Sequence, residues 1–330
     1  MKVTISDVAR LAGVSTATVS HTINNTRYVS AETKEKVYRA IADLGYTPDA
    51  SARSFRTGKK KTVGFIVPDI SNKYFATMIE VVENYLSARG YHLIIANTKE
   101  SISREETNIR LLTAGLVDGL LVASTMDDFQ RFDDLIPAGF PIVLVDRTFP
   151  VKKYASVTVA NFQPIYRAVS RLAGKGCRRV GLIAGLGRLS STQERVAAYR
   201  EAVADCGLEQ SEDLIRYNDL KEDCALRCLD HLVVEQACDG LLVCQGVMAT
   251  TAFSCLNITG KAKDLELVGF VDYDAGFYDP YYVGADRIVQ PVEALGEAAG
   301  EQILRRIEEP DAPVFEKVLT SDYKPFQGGE

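Results

Sequence analysis

The sequence predicts two architectures in tandem: a small all-α helix-turn-helix head and a large α/β body of two lobes with two doubly wound parallel sheets. Three observations predict this. Charge is split along the chain: residues 1–61 carry 11 Lys and Arg against 5 Asp and Glu, whereas the remaining residues carry 27 against 39. The first 46 residues read as three short helices with turn residues between them. From residue 62 onward, short β-branched apolar runs alternate with longer amphipathic stretches, the pattern of parallel sheets covered by helices on both faces.

In the head, Ser6 is placed to cap a helix from Asp7 to Ala12, with Asp7 at the positive end of its dipole. Val8, Leu11 and Ala12 fall at helical spacing and predict its buried stripe. Gly13 ends this helix. Ser15 caps the next, Thr16 to Asn24, which turns Val19 and Ile23 inward. The third starts after Ser30 and ends at Gly45, with Val37, Ile41 and Leu44 inward. Two short helices joined by a tight glycine-containing turn, with a third behind them, form a helix-turn-helix.

The stretch "VSTATVSHTINNTRYVS" (14–30) has seven Ser or Thr among seventeen residues, one His, one Arg and no carboxylate. Thr16, Ala17, Ser20 and His21 face outward on the second helix. Short hydroxyl, methyl and imidazole groups let a helix approach base edges in the major groove, and hydroxyls also donate to phosphates. Thr26, Arg27 and Tyr28 follow the helix, where a phosphate strand would pass. The alternative is a three-helix bundle whose polar face meets another protein.

Next comes "TPDASARSFRTGKKKT" (47–62). Pro48 ends the third helix, and Ala50 to Arg56 can form a brief one. Phe55 is a single large apolar residue on a basic segment that also carries Arg53. Such a residue suits a wedge between base steps in the minor groove. Alternatively, Phe55 packs on the neighbouring domain.

The body's strands are expected at 63–69, 92–97, 119–124, 142–147, 157–161, 179–185, 240–244 and 266–272. Helices are expected at Tyr74–Ala88, Glu105–Ala114, Pro164–Ala173, Glu194–Cys206 and Glu222–Val234. The pattern divides near residue 161 into two units, and the final segment crosses back. Ligands of open parallel sheets bind beyond the carboxyl ends of the strands, so two such lobes make a cleft between them.

Catalysis is not expected. The chain has no phosphate-binding glycine loop, no G-x-S-x-G elbow and no H-E-x-x-H. Its histidines, His21, His92 and His231, have no sequence partner. The seven cysteines have no metal-ligand spacing; Cys224 and Cys228 read as buried small hydrophobes. No metal or cofactor is therefore expected. The N-terminus lacks a charged head followed by an apolar run, and no stretch is apolar enough to span a bilayer. A reduced, cytoplasmic protein with no membrane partner is the expectation.

"TISDVARLAGVSTATVSHTIN" followed by "VSAETKEKVYRAIADLGYTPDASAR" resembles the LacI/GalR family of bacterial repressors, its purine-repressor branch in particular. The match is gap-free across the head. The resemblance implies a helix-turn-helix domain at 1–47, a hinge helix and linker at 48–61, and a periplasmic-binding-protein-like effector and dimerisation domain at 62–330. One lobe would be about 62–161 with a return near 290–320, the other about 162–289. It implies a homodimer on pseudo-palindromic operator DNA, acting as a repressor. Thr16, Ala17 and His21 fall on the family's base-reading positions. Phe55 stands where the family usually has a Leu.

The resemblance further implies a small-molecule effector in the cleft. Tyr74 and Phe75 would wall the ligand, and Asp146, Asn161, Ser191, Arg195, Gln245 and Asp272 would hydrogen-bond it. Polar groups over an aromatic wall suit a sugar or nucleobase, with a sugar-like ligand preferred. Each residue also has a plainer role: Asp146 pairing with Arg147, Arg195 as a helix-surface charge, Asn161 as a cap. Ala160, Gln245-Gly246 and Val271 depart from the family's usual residues. The pocket is then either rebuilt for a different ligand or no longer used, with a partner protein in control.

Overall fold

The head closes over a small core of Val8, Ala9, Val19, Val37 and Ala40, with Ile5, Val14, Ile23, Ile41 and Leu44 packed around it. Here and below, the structure is a computed structural model that describes residues 3–25, 27–46, 59–221, 223–271 and 284–326. These form two units, divided between Lys60 and Lys61.

The head's helices are α1 (Ile5–Ala12), α2 (Thr16–Asn24) and α3 (Ala31–Leu44). Ser15 caps α2 by accepting from Thr18 N at 3.0 Å, and Ser30 caps α3 by accepting from Thr33 N at 3.3 Å. Each such cap is worth about 1 kcal/mol. The first helix departs from expectation. Its N-cap is Thr4 rather than Ser6, and the Asp7 carboxylate accepts from Thr4 N at 3.0 Å and Thr4 Oγ1 at 2.7 Å. Those hydrogen bonds hold Asp7 below the usual carboxylate range. The stripe is also displaced: Leu11 is 54% exposed and Ala9 takes its place inside, because starting the helix earlier favours the Ile5, Val8, Ala9, Ala12 face. Gly13 and Gly45 sit at φ 66° and 60° just past their helices, where a Cβ would be strained.

The body contains two six-stranded sheets. The first lobe's order is β11-β5-β4-β3-β1-β2, from β1 (Thr62–Val67), β2 (His92–Asn97), β3 (Gly119–Val122), β4 (Ile142–Val145), β5 (Ala155–Val159) and β11 (Glu316–Leu319). All five pairings are parallel. The second lobe's order is β12-β10-β9-β8-β6-β7, from β6 (Val180–Ala184), β7 (Ile215–Tyr217), β8 (Gly240–Val243), β9 (Glu266–Val271), β10 (Ala285–Val289) and β12 (Asp322–Lys324). Only β12 runs antiparallel.

Both sheets are covered on both faces, which is why their central strands read as unbroken apolar runs. The first lobe packs α4 (Lys73–Ser87) and α11 (Val292–Glu308) on one side. α5 (Ile102–Thr113) and α6 (Phe129–Asp133) cover the other. The second lobe packs α7 (Phe162–Gly174) and α8 (Ser190–Asp205) opposite α9 (Cys224–Leu229) and α10 (Gly246–Ile258). The predicted helix over 222–234 is α9 followed by one stretch of π-helix, Asp230–Glu235. Cys224 and Cys228 are buried there as free thiols, and burial pushes Cys228 up to about 12.

The chain passes between the lobes three times: after β5, after β10 and after β11. The return expected near 290–320 is α11 with β11, and β12 then goes back to the second sheet. Among the described residues, no helix is long and apolar enough to cross a membrane.

Candidate effector cleft and nucleic-acid interface

The carboxyl ends of the strands of both sheets border one cavity of about 80 Å³. The first lobe supplies Asp69, Asn72, Tyr74 and Phe75 after β1, Glu100 after β2, and Asp146 and Arg147 after β4. The second supplies Leu189, Ser191, Thr192 and Arg195 after β6, Gln245 after β8, and Gln290 after β10. The structure thus brings together Tyr74, Phe75, Asp146, Ser191, Arg195 and Gln245 from the predicted set. Asn161 reaches the same place through Arg195. Asp272 lies outside the described residues.

Tyr74 and Phe75 open α4 and are buried, their rings edge to face at 5.2 Å. Tyr74 OH donates to Asp146 Oδ1 at 2.8 Å. Asp146 is a non-glycine residue at φ 67°, a conformation that costs on the order of 1–3 kcal/mol and persists only where its surroundings enforce it. Arg147 N closes this turn by donating to Val145 O at 2.7 Å. The turn puts both side chains at the cavity wall.

Arg147 is buried, and its Nη1 and Nη2 donate to the two Glu100 oxygens at 3.0 and 2.7 Å. Burial works against its charge, but Glu100 outweighs it and the guanidinium's pKa lies above its ordinary value. Its Nε is buried with no hydrogen-bond partner among the described residues, 3.6 Å from Asp146 Oδ2. The plain pairing of Asp146 with Arg147 therefore exists, at ion-pair range, beside the bond from Tyr74.

Arg195 is not a surface charge. It is 8% exposed, with Nε on Asn161 Oδ1 at 2.8 Å, Nη1 on Cys244 O at 2.6 Å and Nη2 on Gln290 Oε1 at 3.4 Å. Its guanidinium lies 4.2 Å from the Phe270 ring centroid. Asn161 holds the N-cap position of α7 but makes no side-chain cap. Its Nδ2 donates instead to Val159 O and Glu194 Oε2, at 3.1 and 2.9 Å. Gln245 Oε1 accepts from Asn218 Nδ2 at 2.8 Å. Gly185 follows β6 beside them; a Cβ there would meet Thr192 Oγ1 at 2.5 Å and Gln245 Nε2 at 3.2 Å.

Sequence reasoning missed Asp69, Asn72, Glu100, Arg147 as a wall residue, Thr192 and Gln290. Glu100 lies three residues beyond β2, and the strand-end rule would have found it. Gln290 follows β10, a strand not predicted.

On the head, Thr16 and Ala17 are exposed at the start of α2, and Ser20 and His21 are half-buried one turn later. Arg27 is exposed and Tyr28 is 94% exposed. No carboxylate lies between Asp7 and Glu32. Thr26, Arg53 and Phe55 lie outside the described residues.

Comparison with known proteins decides what these two units are. Residues 4–49 match "Bacterial regulatory proteins, lacI family", and residues 60–269 match "Periplasmic binding proteins and sugar binding domain of LacI family". The chain belongs to the LacI family. It is 33% identical to the HTH-type transcriptional repressor PurR of Vibrio campbellii, over 95% of each chain. It is 32% identical to the ribose operon repressor of Haemophilus influenzae, over 93% of each. A transcriptional regulator CelR–cellobiose complex superimposes with a TM-score of 0.71 at 26% identity, covering 99% of this chain and 100% of that one. The Lac repressor dimer bound to operator and an anti-inducer shares the fold with a TM-score of 0.83 at 21% identity, covering 98% of each. As a LacI-family member the chain is a DNA-binding transcriptional regulator, and not an enzyme.

Proposed function

We propose that this regulator is a cytoplasmic repressor that binds a two-fold symmetric operator as a homodimer and senses a sugar-like effector between its lobes. In this reading residues 1–47 bind DNA, 48–61 form the hinge, and 62–330 sense and dimerise, with lobes of about 62–161 plus 290–320 and 162–289. Thr16, Ala17, Ser20 and His21 read bases. Thr26, Arg27, Tyr28 and Arg53 hold phosphates, and Phe55 wedges the central step.

The observation that carries the effector reading is the cavity itself. Tyr74 and Phe75 form one wall, and Asp146, Ser191, Arg195 and Gln245 converge on it from strand ends of both lobes. Donors and acceptors in such a ring match a polyhydroxylated ligand. Asn161 would act through Arg195, and Asp272 is proposed from the resemblance alone. A ribose operon repressor and a cellobiose-bound regulator among the similar proteins favour a sugar over a nucleobase; PurR is the counterweight.

One observation favours a second reading, a body controlled by a partner protein. The cavity holds only about 80 Å³, small beside the roughly 300–1,000 Å³ of ordinary ligand sites, and Arg147 and Arg195 already have protein acceptors. A thermal-shift screen of pentoses, hexoses, their phosphates and purines separates the two. An effector stabilises the body by about RT ln(1 + [L]/Kd); a flat response across the panel would favour the partner.

A further inference from the structure

A separate cavity of the body lies at the opposite end of the first sheet from the cleft. It holds about 170 Å³, against about 80 Å³ at the cleft. It reaches down to Ile142 and Ala155, the first residues of β4 and β5, both buried in the lobe's core. These are the amino ends of the strands, the end at which Lys61 leads the chain into β1. The loop 136–140 and Tyr154 also line it, and two cations, Lys153 and Arg306, stand with them.

Its apolar wall is held in place. Tyr154 OH donates to Asp133 Oδ1 at 2.5 Å, and its ring meets Phe132 edge to face at 5.8 Å. Phe140 N closes the loop on Pro137 O at 3.0 Å. The Tyr154 proton is thus committed to Asp133, and what this residue offers a ligand is its ring. The cations differ in one respect. Lys153 Nζ lies 2.6 Å from the Asp133 carboxylate, and Arg305, beside Arg306 in the last turn of α11, pairs with Glu309. Arg306 has no carboxylate at ion-pair range among the described residues. Its Nη1 donates to Ala312 O at 2.5 Å, and its Nε and Nη2 have no protein partner among the described residues. Two parallel N–H groups on one guanidinium edge match the two oxygens of a carboxylate.

We propose that this cavity is a second small-molecule site, for a carboxylate carried on a single aromatic ring. Arg306 takes the carboxylate, and Phe140, Ile142 and Tyr154 cover the ring. Volume sets the ring: an apolar cavity of about 150 Å³ takes up benzene, so 170 Å³ holds one ring and not two. Charge sets the head group. One unpaired guanidinium balances one carboxylate, whereas a phosphate dianion calls for a second free cation, and Lys153 is already paired. The site shares no residue with the cleft and does not rest on what the cleft binds. α11 borders both: it starts at Val292, two residues after Gln290 of the cleft wall, and carries Arg306 in its last turn.

The test is a fluorine NMR titration of 4-fluorobenzoate with the full-length protein. Wild type should broaden the ligand signal with a roughly millimolar Kd, ordinary for so small a molecule. 4-Fluorobenzyl alcohol, the same ring without the charge, should bind at least about tenfold more weakly. Arg306→Ala should weaken 4-fluorobenzoate by a similar factor, and Arg306→Lys should recover part of it. Inorganic phosphate should not compete. Ala138 is exposed where the cavity opens, so Ala138→Trp should block entry without touching the core. That variant decides the location even if Arg306→Ala folds poorly, and the alcohol then decides the charge. No broadening up to about 10 mM ligand, equal affinity for the alcohol, competition by phosphate, or affinity undiminished in a folded Arg306→Ala or in Ala138→Trp would each overturn the proposal.

Discussion

Arg195 Nε donates to Asn161 Oδ1 at 2.8 Å, tying α8 of the second lobe to the first passage between the lobes. The same guanidinium reaches Cys244 O after β8 and Gln290 after β10. It therefore gathers three strand ends at the cavity floor, and its removal has two consequences. Arg195→Ala should abolish any thermal shift produced by the effector. It should also destabilise the ligand-free body by about 1–3 kcal/mol, because buried acceptors lose a charged donor. Urea unfolding read beside the thermal-shift assay checks both; a retained shift would remove Arg195 from the binding site.

That double role shows where sequence reading stopped. The alternation of apolar runs and helices was enough for two parallel sheets, because strands buried on both faces must be apolar throughout. It was not enough for β10, where Asp286 and Arg287 interrupt the apolar run, or for β7, β11 and β12, which are short and half-polar at sheet edges, where burial leaves little imprint. Asp146 and Gln245, named from the family resemblance, both line the cavity. The sequence could not tell that Asp146 and Glu100 adopt left-handed turns, since neither residue is the glycine or asparagine that usually marks one. In the head, Ser15 and Ser30 were legible as caps. Thr4 was not, because Ser6 offers an equally good hydroxyl two residues later and only the Asp7 pairing chooses between them.

His21 lies one turn beyond the exposed N-terminal end of α2, beside Ser20 and on the face away from the buried Val19. A side chain reading a base edge contributes discrimination, whereas non-specific affinity comes from phosphate neutralisation. His21→Ala should therefore cost about 1–3 kcal/mol on the preferred site and leave binding to random duplex nearly unchanged. Selection from random duplexes with wild type would supply the site. Equal weakening on both DNAs would place His21 on the backbone rather than on a base.

Asp286 makes a pH prediction. It is 1% exposed, and it accepts from Tyr323 OH at 2.7 Å, Arg171 Nε at 2.9 Å and Phe326 N at 2.8 Å, with Lys175 Nζ at 3.4 Å. Burial alone would raise its pKa, but these donors hold it below the usual carboxylate value. A carboxyl with a depressed folded pKa stabilises above its unfolded pKa, about 3.9, and that contribution is lost as pH falls through the lower folded value. Asp286→Asn should therefore cost about 2 kcal/mol at pH 7, and the gap from wild type should close below about pH 4. Urea midpoints at several pH values measure it. A gap that persists undiminished in acid would mean that the loss is one of packing rather than charge.

The boundary at Lys60 and Lys61 makes a last prediction. Lys61 N donates to Asp118 Oδ2 at 2.6 Å, and His92 N donates to Lys61 O at 2.8 Å, so backbone bonding of the first sheet begins at this residue. Each lobe has its own apolar cores on both faces of its sheet, and none of those core residues comes from the head. A chain of residues 61–330 should therefore fold with a melting temperature within a few degrees of the full-length body and keep any effector-induced shift. It should lose operator binding entirely, because every proposed base and phosphate contact lies before residue 61. Circular dichroism melts and a mobility-shift titration test the two halves of that claim. Sequence-specific binding retained by the truncated chain would overturn the assignment of DNA recognition to the head.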